Sequence, residues 1–163
     1  MEEISEKVVK QTWQEVGGMS YDEAPKLAKR FQKLQPYLCV YLLTAGGDGF
    51  NDDEREFLHY FGIVVWKMMS KGTKSLMEIS AETIEKFEKS NWDMVEYFAG
   101  EKKEIDFLAH VELIMAKYNQ KNVLKYVLES LMEHDPDDAI IRDDKKGEMF
   151  IYLKTVVDCL DQV

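Results

Sequence analysis

Proline, glycine and cysteine are all scarce in this chain. Three prolines and nine glycines in 163 residues are too few to punctuate a turn-dense β-sandwich, and the 45% hydrophobic content argues equally against disorder. The two cysteines, Cys39 and Cys159, sit inside apolar helical patterns without CxxC spacing. They read as small buried hydrophobes in a reducing compartment rather than as a redox pair. The opening stretch has neither the basic nor the apolar region of a secretory signal, and no apolar run approaches the roughly 18 residues of a membrane span. A soluble, cytoplasmic protein is the expectation.

Positive charge is also in short supply. Lys and Arg number 21 against 31 Asp and Glu, a net charge of −10, and most of the acidic surplus falls after residue 80. That balance disfavours nucleic acid, whose backbone is held by Lys and Arg displacing counterions, and it disfavours anionic membranes. No Ser-His-Asp, Cys-His, GxGxxG or GxxxxGK[ST] arrangement occurs, so acyl transfer, dinucleotide binding and nucleotide hydrolysis have no sequence argument. The chain carries no catalytic signature and calls for no cofactor.

What is abundant is helical periodicity. The expected fold is all-α: a single domain over 1–163, a multi-helix bundle of six to eight helices around a buried central helical hairpin. That hairpin runs from Pro36 to Met69, two apolar arms joined by Ala45-Gly46-Gly47-Asp48-Gly49-Phe50. Its first arm, 37–43, has no polar face, so both arms are expected to be enclosed by other helices. Before it, Ile4, Val8, Val9, Trp13 and Val16 mark helix one, which Gly17-Gly18 ends. Ala24, Leu27, Phe31 and Leu34 mark the buried stripe of helix two, with Ser20 as its cap. Pro36 breaks the chain before helix three. Asn51 caps the fourth helix, with Asp52, Asp53 and Glu54 in its first turn, and Gly62 permits close helix packing. Ile79-Ser80 opens helix five, whose core stripe includes Asn91, a buried amide that needs partners. Helices over 104–118 and 122–133 form a second hairpin, and a last helix spans 146–162.

Four features invite chemistry. The turn Gly47-Asp48-Gly49-Phe50-Asn51-Asp52-Asp53-Glu54 collects carboxylates as a hard cation would want, with Asp48 and Asp52 as candidate ligands. With Gly49 as the invariant loop glycine, however, the EF-hand register fails, and helix capping explains each acid. This turn and acidic helix start resemble the corresponding stretch of the TerB-like helical domains of tellurite-resistance proteins. The resemblance stops at that stretch, and no family is assigned from it. Glu56 and His59 form a Glu-x-x-His pair on one helix face, as di-iron bundles require, but Asp106, His110, Glu112 and Glu96 do not complete the pattern. Lys26, Lys29, Arg30 and Lys33 make a basic stripe on helix two, and Asp137 and Asp138 belong to an acidic loop over 134–144.

The leading functional expectation is a non-enzymatic protein-interaction or regulatory module, binding another protein or itself as a homodimer, through helix two or the acidic half. The alternatives are a metal-binding helical bundle, di-metal or TerB-like, and an acidic mimic of nucleic acid.

Overall fold

The computed structural model describes the backbone of residues 1–73, 75–100, 107–132 and 140–162, with side chains over the same ranges except at 98–100, 107 and 108. Among these residues there are eight α-helices and no strand: α1 (Glu6–Gly17), α2 (Glu23–Leu34), α3 (Pro36–Thr44), α4 (Asp52–Met69), α5 (Ala81–Gly100), α6 (Phe107–Met115), α7 (Lys121–Met132) and α8 (Asp143–Asp161). A 3-10 turn, Gly47–Gly49, lies between α3 and α4. The helices pack as a single-domain bundle. Among the described residues, no helix is long and apolar enough to cross a membrane.

Local chemistry explains most of the boundaries. Ser5 opens α1 by accepting a hydrogen bond from the Val8 amide. Asn51 and Glu54 form a reciprocal capping box at the start of α4, and Ser80 Oγ accepts from the Thr83 amide ahead of α5. Pro36 stands at the first turn of α3, where its missing N–H costs nothing. Gly62 lets α4 meet α3 closely, for a Cβ there would lie 2.2 Å from Leu42 Cδ1. Gly46 has φ +71° with the Phe50 ring packed over it, so both conformation and space call for glycine. At the other end of α1, Gly18 has φ −91° and is not a left-handed cap. Ser20 does not cap α2 with its side chain; its amide instead donates to Glu23 Oε2.

The centre of the bundle is α8 together with α4. α8 packs on α4, α5 and α7, and every residue from Met149 to Val157 is buried. The hairpin expected at the centre contributes only its second arm. α3 lies on the outside: Leu38, Cys39 and Leu42 face inward, while Tyr37 is 49%, Val40 59% and Leu43 46% exposed. Apolar composition on all sides does not say which side a neighbour covers: α2, α4 and α5 pack on α3 and leave these three side chains outside. Three smaller departures follow the same logic. Thr12 replaces Trp13 at the buried face of α1, because its hydroxyl is satisfied by the Val8 carbonyl. Ala24 and Leu34 leave the α2 stripe, which narrows to Leu27 and Phe31. Of the two isoleucines within the 134–144 stretch, Ile141 is buried and Ile140 is not.

Two buried glutamines tie non-helical chain to this core. Gln35, between α2 and α3, donates to the Met77 carbonyl and accepts from the Ile79 amide, fixing the approach to α5. Gln120 accepts from the Ile4 amide and donates to the Glu2 carbonyl and Asp161, anchoring the N-terminal segment against α7 and α8.

Candidate functional site

The acidic turn is clamped by two arginines. Arg55 donates to the carbonyls of Leu43, Ala45 and Gly47, closing the C-terminal end of α3. Arg142 donates through Nε and Nη2 to both oxygens of Glu54, at 2.8 and 2.7 Å, and through Nη2 to the Gly49 carbonyl. Glu54 is fully buried and also accepts from the amides of Asn51 and Arg142. The Arg142 guanidinium beside it, helped by those amides against burial, holds its carboxyl down at about 2. The turn's inward oxygens are therefore occupied by guanidinium groups. Asp48 and Asp52 point to solvent on a shallow concavity shared with Leu43, Gly47 and Arg55.

Glu56 and His59 do lie on α4, but they part company in environment. Glu56 is exposed. His59 is half-buried, with Nε2 3.7 Å from Cys39 Sγ and the ring near Phe31. Burial lowers the imidazole's affinity for a proton and raises the thiol's, so both groups are held neutral. A thiol kept protonated by burial is a weak nucleophile. Glu96 and Glu112 are exposed, and Asp106 lies outside the described residues. Among the described residues, no group of three or more His, Cys, Asp or Glu could hold a metal ion.

Asn91 belongs to a buried polar cluster between α5 and α8. Its Nδ2 donates to Thr155 Oγ1 at 3.0 Å and to Asp158 Oδ2 at 2.8 Å, and its Oδ1 accepts from Lys154 Nζ at 2.8 Å. Lys154 also donates to Asp158 Oδ2 and lies over the Tyr118 ring. The Tyr118 hydroxyl donates to Asp158 Oδ1. Burial first, then the Asp158 charge, pushes that phenol strongly upward, so Tyr118 stays a donor. The same two causes push Cys159 up to about 12. Each charge and amide in this set has partners, which is what a burial of this kind requires. The cluster fixes how α5 and Tyr118 dock on α8.

The remaining candidates are on the surface of α2 and α3. Lys26, Lys29, Arg30 and Lys33 are all exposed. Among the described residues none of the four makes an ion pair, although acids outnumber bases in the chain. Leu34, at the end of α2, is 44% exposed, and beyond the break at Gln35 the α3 side chains Tyr37, Val40 and Leu43, at spacing three, stay exposed as well. Asp137 and Asp138 lie outside the described residues.

Several of these residues were invisible to periodicity. Arg55 works through backbone carbonyls in the preceding turn, Arg142 and Gln35 through partners far away in sequence, and Lys154 and Asp158 look like an ordinary i, i+4 surface pair. Only their places directly after the apolar Leu153 and Val157 hinted otherwise. Comparison with protein-family models, with curated proteins and with solved structures found no match.

Proposed function

We propose that this protein is a non-enzymatic interaction module whose binding surface is the outer side of α2 and α3. The observation that carries the reading is the pairing of unmatched cations with uncovered apolar side chains. Lys26, Lys29, Arg30 and Lys33 have no ion pair among the described residues, and Tyr37, Val40 and Leu43 follow them on the exterior. Solvated lysines alone would be an ordinary helix face. Beside an apolar ridge they supply what a protein interface uses, a desolvated centre with a charged rim that selects the partner. The buried polar groups give no comparable argument for catalysis, since the Asn91 cluster and the Glu54 clamp are satisfied within the fold.

The test is capture from an extract of the native host with wild-type protein and with a charge-reversed variant, K26E/K29E/R30E/K33E. Co-purifying chains, including untagged copies of this protein, are quantified by mass spectrometry. At least one chain held near stoichiometry by the wild type should fall at least about tenfold in the variant, the scale expected when several interfacial charge pairs become repulsions. Identical recovery by the two proteins, or none by either, contradicts the reading.

A further inference from the structure

We infer that the α2–α3 surface pairs with the same surface of a second copy of this chain, about a two-fold axis near Val40. This rests on reading that surface as a binding surface, and it names the occupant. The order of chemistry along it carries the inference. At one end stand Arg30 and Lys33, then the ridge Leu34, Tyr37, Val40 and Leu43, and at the other end Asp48 and Asp52. Arg30 shares one concavity with Leu34, and Asp48 and Asp52 share another with Leu43. Like the four cations, Asp48, Asp52 and Asp53 are exposed and make no ion pair among the described residues.

A surface that runs basic, apolar, acidic is complementary to its own reverse. A two-fold axis performs that reversal, because residue i of one copy meets residue j of the other and j meets i. With Val40 near the axis, Tyr37 of one copy faces Leu43 of the other, and the ridge between them spans about 9 Å at 1.5 Å per residue. Arg30 and Lys33 then approach the second copy's Asp48 and Asp52, twice over. A uniformly acidic occupant would match the basic end and be repelled by the other, and a basic one the converse. The chain itself carries both signs in the required order. Net charge of −10 on each copy opposes approach. At physiological salt the Debye length of about 8 Å screens that distant repulsion and leaves the contact pairs.

The experiment is absolute mass by light scattering at physiological salt, from micromolar to millimolar protein, on wild type and on exposed-residue variants checked for unchanged circular dichroism. Wild type should move from 19.1 kDa towards twice that mass, and Val40→Asp should remain monomeric. Lys33→Asp and Asp48→Lys should each weaken pairing about tenfold, and the double exchange should restore it, since the charges then meet in the opposite sense. A wild type that stays monomeric, a dimer indifferent to Val40→Asp, or a double exchange worse than either single change would overturn the inference. A monomer that still captures a different protein through the α2 cations would sink self-pairing alone. A monomer that captures nothing would sink the binding surface as well.

Discussion

Arg142 closes over Glu54 from 88 residues away in the chain, with its guanidinium and its own amide on a carboxylate that has no solvent exposure. The pair joins the chain just before α8 to the start of α4, the two helices that form the centre of the bundle. Because the folded-state pKa of Glu54 is depressed from 4.5 to about 2, its contribution is complete above pH 4.5 and is lost as pH falls towards 2. Arg142 is half exposed, so solvent reduces the benefit. Glu54→Gln should cost about 2 kcal/mol at pH 7, and urea unfolding between pH 5 and pH 2 should show a flatter acid limb than wild type. An equally steep limb would mean that other carboxylates carry the acid sensitivity.

Gly62 faces Leu42 with no room for a methyl group: an added Cβ would stand 2.2, 3.1 and 3.2 Å from its Cδ1, Cδ2 and Cγ. Leu42 is fully buried and has nowhere easy to go. Gly62→Ala gains helix propensity of up to about 1 kcal/mol but overpacks the α3–α4 contact, at about 1–3 kcal/mol. A net loss of about 1 kcal/mol is expected in denaturant unfolding. Adding Leu42→Val should recover part of it; a loss unchanged by that second substitution would place the strain elsewhere.

Asn91 holds Lys154, Thr155 and Asp158 together. Asn91→Leu removes an acceptor from a buried ammonium and a donor from a buried carboxylate, and should cost about 2–3 kcal/mol. Replacing Asn91, Lys154 and Asp158 together by Leu, Met and Leu should cost less than the single change, because no buried charge is then stranded. Thermal unfolding of the two variants checks this ordering. A single change without effect would show that the cluster is not closed in solution.

His59 supplies a pH signature near neutrality. Burial depresses its folded-state pKa below 6.5, so as pH falls through 6.5 the unfolded chain takes up the proton first and stability declines. The decline levels off once pH passes below the folded-state value. His59→Phe should remove this component from the stability profile between pH 7 and pH 5. A profile identical to wild type would mean that the imidazole protonates as freely in the folded protein as in the unfolded one.

Helix class, order and most boundaries follow from patterning, because caps such as Asn51 and breaks such as Pro36 act within a few residues. The placement of α3 does not. A helix of wholly apolar composition has no polar face to orient it, so the sequence cannot distinguish an enclosed helix from one that leaves Tyr37, Val40 and Leu43 outside. The same limit applies to polar residues. Lys154 in α8 and Glu54 in α4 are buried, and Asp158 nearly so, because partners arrive from distant segments, and no local pattern announces those partners. The basic stripe of α2 is legible as a stripe. That none of its cations makes an ion pair among the described residues is visible only once the helices are assembled.

Hydroxyl-radical footprinting of the exposed apolar side chains, read residue by residue as protein concentration rises, tests the central claim most directly. Tyr37 and Leu43 should become protected relative to Tyr97 and Leu113, which are exposed elsewhere on the bundle. Lys33→Asp should move the onset of that protection to about tenfold higher protein concentration. Uniform oxidation of all four residues at every concentration, in both proteins, would contradict a binding surface on α3 formed by a second copy of the chain.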